Sequence, residues 1–212
     1  MATWSRYRES IGDRSGLFSA LTDAWPIERA LYPGSYVDLS PSTAFRSVVY
    51  VDSDPRARRF FADREVVSSE RAGRTLPGAG SQVRFLGADY TQRLELPDAS
   101  VDLLISLFAG PVWEHCRRYL RPKGWLLANT SHGDASLAAL DPTLQLVAAV
   151  HHRDGHYSLA TDRLDHYLEP KRPENANVEQ IRTHGRGIAY TKTAFAYLFQ
   201  RLTPASDPTG AS

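Results

Sequence analysis

The hydrophobic positions of this chain fall into short runs, and longer stretches with helical spacing separate them. Four of the runs, residues 48–52, 82–89, 101–108 and 124–131, are β-branched or continuously apolar. Strands that are apolar on both faces are typical of a parallel sheet covered by helices on both sides. The pattern therefore predicts four strands of such a sheet.

The segments between these runs have the spacing of helices. Residues 54–70 begin with Asp54 as a cap and Pro55 at the first helical position. Residues 112–120 place their apolar side chains on one side of a helix. This alternation of strands and helices predicts right-handed βαβ units and a doubly wound α/β sheet.

The last third of the chain follows a different pattern. Residues 144–152 and 195–202 predict two further strands, the second because aromatic residues alternate along it. Residues 153–192 between them are too long for a turn, and they predict a lid-like insertion with short helices near 161–168 and 178–184. We therefore expect one domain over residues 1–202, with an N-terminal helical cap (1–27) and a disordered tail (203–212).

Composition limits the classes of function. The 212 residues suffice for one α/β domain, and the net charge of +1 gives no overall attraction to nucleic acid. The single cysteine, Cys116, excludes an internal disulfide framework and a cysteine zinc site. No apolar run reaches the roughly 18 residues of a membrane span, and the first residues lack the apolar centre of a secretory signal. These features predict a soluble, cytoplasmic protein.

Candidate binding residues follow the predicted strands. In a doubly wound sheet, ligands bind beyond the carboxyl ends of the strands. Gly34 follows the first strand in "YPGSY", and Asp52 follows the second, 18 positions later (52 − 34). That spacing fits an acid that binds a ribose diol, and Gly34 suits close backbone approach. Asp89 follows the third strand and either contacts an adenine or caps the next turn.

The order of these segments over residues 28–134 resembles the class I S-adenosylmethionine-dependent methyltransferase superfamily. "VVYVDSD" resembles the family's second strand with its ribose acid. "FLGADYTQRLELPDASVDLLISLFAG" resembles the run from the adenine-contacting acid to the fourth strand, and "CRRYLRPKGWLLA" resembles the approach to the fifth. The first loop departs from the family, which prefers an acid followed by alternating glycines.

The resemblance implies a Rossmann-like fold, with a mostly parallel seven-stranded sheet and an antiparallel last strand. It also implies S-adenosyl-L-methionine as the cofactor. Tyr32 is then either plain core or a substitute for the missing acid, through a hydrogen bond to the methionine part of the cofactor. The cofactor-binding residues implied in this way are Tyr32, Gly34, Ser35, Tyr36, Asp52, Ser53, Asp89, Tyr90, Ser106 and Leu107.

The most polar strand exit is "NTSHGDA", residues 129–135. If the strand order of the family holds, this exit faces the transferable group, and His132 could take a proton from a substrate nucleophile. Asn129 and Tyr190 are the other candidate catalytic residues. The alternative is a turn and a helix cap built from Gly133 and Asp134. "HHRDGHY" predicts no metal site, since adjacent strand residues point to opposite faces.

Three functions are compatible with this sequence. The first is transfer of a methyl group from S-adenosylmethionine to a small molecule. Because the sequence has no evident basic face, it predicts neither a nucleic-acid nor a membrane partner. The second is attack at another carbon of the sulfonium, which gives aminocarboxypropyl transfer or a cyclisation that releases methylthioadenosine. The third is a cofactor-binding or regulatory module without catalysis.

Overall fold

The computed structural model describes residues 3–80 and 82–203. One eight-stranded sheet organises them, in the order β3-β2-β1-β4-β5-β8-β6-β7. The strands are β1 (Arg29–Pro33), β2 (Ser47–Val51), β3 (Gln82–Leu86), β4 (Val101–Ser106), β5 (Leu120–Ala128), β6 (Leu144–Arg153), β7 (His156–Ala160) and β8 (Ala196–Arg201). Strands β1 to β5 are mutually parallel, and β8 is antiparallel to both β5 and β6. The predicted α/β class, the mostly parallel sheet and the antiparallel last strand are confirmed.

The predicted number of seven strands is wrong, because a hairpin adds β7 at the edge of the sheet. Arg153 pairs with His156, so only Asp154 and Gly155 form the turn. Both have left-handed φ angles, +51° and +77°, which a two-residue hairpin turn of type I′ requires. Part of the predicted lid is therefore sheet.

Seven α-helices accompany the sheet in the described ranges. They are α1 (Trp4–Ile11), α2 (Ser15–Ala24), α3 (Pro55–Ala62), α4 (Arg64–Arg71), α5 (Val112–Cys116), α6 (Asp134–Leu140) and α7 (Val178–His184). The predicted helix over residues 54–70 is two helices, because Asp63 ends α3 and its side chain caps α4 by accepting from the Val66 N–H. Asp54 caps α3 as predicted.

The two faces of the sheet carry separate apolar clusters. Successive residues of β1 and β4 alternate between them: Ala30 and Leu103 belong to one cluster, Leu31 and Leu104 to the other. The first cluster is covered by α1 to α4, and the second by α5 and α6. All six residues of β4 are buried, as expected of a central strand.

The N-terminal segment is helical, as expected, and α2 packs near β7. Within residues 3–80 and 82–203, no helix is long and apolar enough to cross a bilayer. Most of the predicted disordered tail, residues 204–212, lies outside the described residues.

Candidate functional site

The segments that follow β1 and β2 are hydrogen-bonded to each other. The Gly34 N–H donates to the Val51 carbonyl at 2.8 Å, and the Tyr36 N–H donates to Asp52 Oδ2 at 2.8 Å. Gly34 has φ +65° and Tyr36 φ +45°, so the turn "GSY" reverses the chain beside β2. The turn that follows the first strand therefore lies against Asp52.

Asp52 is held from two sides. Its Oδ1 accepts from the Asp54 N–H at 2.8 Å, while Oδ2 accepts from Tyr36. A carboxylate can accept about four hydrogen bonds, so each oxygen keeps room for one more donor. Asp52 is only half-buried, and the neighbouring Ser53 is exposed. The carboxylate is thus fixed in place and still able to bind a diol.

Asp89 caps the turn that follows β3, which is one of the two roles that the sequence left open for it. Its Oδ1 accepts from the Thr91 N–H at 2.9 Å and from the Thr91 hydroxyl at 2.8 Å. These two bonds hold the pKa of Asp89 below its usual value. The side chain remains exposed, so the turn role leaves the predicted adenine contact open.

Tyr90 lies over the Gly34 turn. Its ring is 3.7 Å from the point that a Gly34 Cβ would occupy, and its hydroxyl donates to the Gly110 carbonyl at 3.2 Å. Partial burial raises the pKa of Tyr90. The exits of β1, β3 and β4 therefore meet around this ring.

Tyr32 belongs to a buried polar cluster that sequence analysis missed. Its hydroxyl donates to Asp38 Oδ2 at 3.3 Å, and Arg14 donates to the same oxygen at 3.1 Å. Burial, and then the charge of Asp38, raise the pKa of Tyr32 well above its ordinary value. Ser35 is buried close by in sequence, and its hydroxyl has no partner within the described chain. No sequence pattern pointed to Arg14, because it meets Asp38 only through tertiary structure.

Ser106 and Leu107 offer no open side chain. The Ser106 hydroxyl donates to Asp134 Oδ2 at 2.5 Å, and Leu107 is packed in the core. Neither side chain is open because β4, which contains Ser106 and precedes Leu107, lies at the centre of the sheet. Any contact that they make with a cofactor would therefore fall to the backbone, and their role in cofactor binding stays a prediction.

Asp134 caps a neighbouring helix. Besides Ser106, its Oδ2 accepts from the N–H groups of Val112 and Trp113 at the start of α5. Gly133, with φ +92°, occupies the cap position of α6 itself. Asp134 Oδ1 is buried without a partner in the described chain, and burial raises the pKa of this carboxyl. The predicted capping role is real, but it serves α5.

The β5 exit carries a relay of polar side chains. Asn129 Oδ1 accepts from the Phe108 N–H at 3.3 Å and from the Ser131 hydroxyl at 2.9 Å. The same hydroxyl lies 3.0 Å from His132 Nδ1. His132 is exposed, whereas Asn129 is buried. The structure thus brings the two predicted catalytic residues of this exit together.

Tyr190, the third predicted catalytic residue, is not part of this group. It is 4% exposed, and burial raises its pKa to about 12 although Ser136 of α6 hydrogen-bonds to it. The segment that was expected to form a lid packs here against α6, which buries the ring. The open catalytic role predicted for Tyr190 does not agree with this placement.

An aromatic wall flanks the β4 exit. Phe108 has φ +60° and is 47% exposed, and its ring lies 4.6 Å from the Arg14 guanidinium carbon and 6.3 Å from the Phe195 ring. Phe195 in turn contacts the rings of Tyr157 and His152, which stack at 4.3 Å. No sequence pattern pointed to Phe108.

Comparison with known proteins supports this architecture. No protein-family profile matches the sequence. A curated relative, a candidate 23S rRNA (guanine-N(1)-)-methyltransferase of Micromonospora griseorubida, is 29% identical over 188 residues, which are 85% of this chain. The chain spans 61% of that relative's length.

Two solved structures share the fold. A methyltransferase from Thermotoga maritima, a candidate histamine N-methyltransferase, has a TM-score of 0.53 and 12% identity, with 94% of each chain covered. A candidate O-methyltransferase from Klebsiella pneumoniae has a TM-score of 0.50 and 11% identity, covering 91% of this chain and 81% of its own. By strand order and by these likenesses, the chain has the Rossmann-like fold of the S-adenosylmethionine-dependent methyltransferases.

Proposed function

We propose that the protein transfers a methyl group from S-adenosylmethionine. The observation that carries this proposal is Asp52, a carboxylate fixed at the β2 exit by two backbone N–H groups with acceptor capacity to spare. Such a group suits the two adjacent hydroxyls of a ribose. Its position relative to β1 is the one that a ribose acid takes in a doubly wound sheet.

The residues around Asp52 fit the cofactor. Gly34 keeps the first turn free of a side chain, and the Ser35 hydroxyl is a buried polar group without a partner in the described chain. Tyr90 offers an aromatic ring beside the turn. Bound there, S-adenosylmethionine supplies an electrophilic methyl group. The protein contributes proximity and orientation, which are the main terms in such a displacement.

His132 is our candidate for the base. The Ser131 hydroxyl donates its proton to Asn129. In the contact with His132 the Ser131 oxygen must therefore be the acceptor, and the His132 Nδ1 must carry the hydrogen that it donates. In that tautomer the Nε2 lone pair is free to take a proton from an acceptor nucleophile. Asn129 and Ser131 then act by positioning, and Asn129 also ties this relay to the Phe108 backbone at the β4 exit.

Two classes of acceptor compete. The small charge of the whole chain, +1, favours a small molecule. The name of the Micromonospora griseorubida relative favours ribosomal RNA as the second candidate. Phe108 suits either class, because an exposed ring can stack on any planar acceptor.

Calorimetric titration with S-adenosylmethionine tests the proposal. We expect saturable binding and, with a competent acceptor, S-adenosylhomocysteine as the product. Methylthioadenosine instead would favour aminocarboxypropyl transfer or cyclisation, and binding without turnover would favour a regulatory module. Absence of binding at millimolar cofactor would overturn the proposal. With an acceptor in hand, His132→Gln should lower kcat about 10²- to 10⁴-fold while leaving cofactor affinity unchanged.

A further inference from the structure

A groove follows the edge strand β3 and is bounded by β2, α3 and α4. Its volume is about 1130 Å³. Its charged lining consists of Arg58 and Arg64 with Arg71, on α3 and α4, and of Arg84, which lies across the edge strand on the other face of the sheet. The described part of the lining contains no acidic side chain. We call this feature the arginine groove. Part of its floor is apolar, with Phe61 and Phe85 stacked at 4.7 Å.

The four guanidinium charges are not neutralised by the protein. Arg58 donates to the Gly87 carbonyl at 2.8 Å, Arg71 to the Gly80 carbonyl at 2.9 Å, and Arg84 to the backbone carbonyl of Glu95 at 3.5 Å. A carbonyl oxygen orients a guanidinium but carries no net charge to balance it.

Ion pairs engage many other arginines of this chain. Arg14 pairs with Asp38 and Arg182 with Glu114. None of the four groove arginines has a carboxylate within ion-pair distance in the described residues, and Arg64 has no hydrogen-bond partner there either. Three uncompensated cations in one recess, with a fourth across the edge strand, point to an anionic ligand.

The groove leads to the candidate active site. Arg71 and Gly80 lie near the amino end of β3, and Arg58 and Gly87 lie near its carboxyl end. The five residues of β3 span about 17 Å, at roughly 3.3 Å per residue. The carboxyl end of β3 and Asp52, which follows β2, lie at the same end of the sheet. An extended polyanion in the groove would therefore reach the site where the cofactor is proposed to bind.

We propose that the arginine groove binds the sugar-phosphate backbone of an RNA strand, one base of which is the methyl acceptor. This proposal rests on the proposed function, since it names the acceptor class of the same site. A recessed row of cations suits a flexible chain of phosphates, whereas an anionic membrane would need a protruding basic surface. Arginine is also the side chain best suited to phosphate, through its planar set of donors.

Direct binding of RNA to the full chain tests the groove without any catalysis. The probe is a fluorescent single-stranded RNA of about 12 nucleotides, within the 4 to 16 nucleotides typical of single-strand sites. We expect log K to fall with log salt at a slope of about −0.7 for each phosphate contact, or roughly −2 for three contacts. The variant R58Q/R64Q should bind about tenfold more weakly and lose roughly 1.4 from that slope.

The matched control is R163Q/R172Q. It removes the same charge from two exposed residues of the segment whose Tyr167 packs in the second apolar cluster, on the opposite face of the sheet. Both double variants should unfold at the same urea concentration as the parent, since all four side chains are exposed. Equal losses of RNA affinity in the two variants would mean that only total charge matters, and would overturn the proposal.

Two further measurements identify the ligand and separate the groove proposal from the proposed function. Groove-dependent binding of phosphatidylserine vesicles without binding of RNA would overturn the RNA assignment. Titration of the same preparation with S-adenosylmethionine shows which of the two proposals fails. Cofactor binding without RNA binding would overturn the groove proposal alone, and groove-dependent RNA binding without cofactor binding would overturn the proposed function alone.

Discussion

A Cβ atom on Gly34 would lie 2.5 Å from the Cβ of Ala109. That separation is far below van der Waals contact, so the turn after β1 and the loop after β4 touch because position 34 has no side chain. The glycine is therefore required by the packing of the protein itself, before any cofactor is considered. Its φ of +65° adds a second reason, since a residue with a Cβ is strained there.

Gly34→Ala should destabilise the fold by roughly 2–5 kcal/mol, from left-handed backbone strain of about 1–2 and overpacking of about 1–3 kcal/mol. Urea unfolding gives the free energy directly. Gly185→Ala is the control, because Gly185 has φ +58° but nothing within 4 Å of its missing Cβ. The Gly185→Ala variant should lose only the part of the free energy of unfolding that comes from backbone strain. Equal losses would show that Ala109 moves aside.

This contact also limits what a cofactor experiment at Gly34 can reveal. A larger residue there would disturb the loops whether or not the turn binds a ligand. Asp52 gives a cleaner test, because its side chain can be changed without a collision.

Asp52→Asn should weaken S-adenosylmethionine binding about 10- to 100-fold, since hydrogen bonds to a charged acceptor contribute about 1.5–3 kcal/mol. The control is Asp54→Asn, which removes the same charge two residues away and keeps a good helix cap for α3. Isothermal titration calorimetry compares the two dissociation constants. If both variants bind equally well, Asp52 is an anchor of the "GSY" turn and does not contact the ribose.

The sheet was largely predictable from the sequence, because burial on both faces shows directly in residue type. The apolar run that contains β4 needed no tertiary information, and α7 occurs at residues 178–184 as expected. The strand β7 was missed although Asp154-Gly155 is a strong hairpin signal. The error arose from assigning the whole of residues 153–192 to a lid.

The site was less predictable, because its polar contacts join distant segments. Arg14 reaches Asp38 from between α1 and α2, and no local pattern encodes that meeting. The same holds for the arginine groove, whose charges come from α3, α4 and β3. A net charge of +1 conceals them, since acidic residues elsewhere balance the total without neutralising the groove.

Asp38→Ala should destabilise the protein by about 3–5 kcal/mol, because Arg14 would then be a buried charge without its partner. Replacing both residues, Arg14→Met with Asp38→Ala, should recover much of that loss. Urea unfolding of the four proteins gives the coupling energy. The exposed pair Arg118–Asp98 is the control and should show no measurable coupling. Additive losses at Arg14 and Asp38 would contradict a buried ion pair.

Asp134 should make stability decrease as pH rises. Burial raises its folded pKa above the ordinary value of 3.8, so the folded state holds the proton more tightly than the unfolded state does. Asp134 therefore favours the folded state most at low pH. Part of that stability is lost as pH rises from about 3.8 through the raised folded pKa. Asp134→Asn cannot titrate, so the parent should lose stability relative to this variant across that window.

Asp141 supplies a control of opposite sign for this pH dependence. Although burial opposes it, hydrogen bonds from Thr143 and Trp113 hold the pKa of Asp141 below its ordinary value. Asp141 therefore contributes stability above pH 3.8 that is lost as pH falls through its lowered folded pKa. Urea midpoints measured against pH for the parent, Asp134→Asn and Asp141→Asn should give difference curves of opposite slope. A flat difference curve for Asp134→Asn would mean that Asp134 stays charged on folding, and that its unpartnered Oδ1 is hydrated.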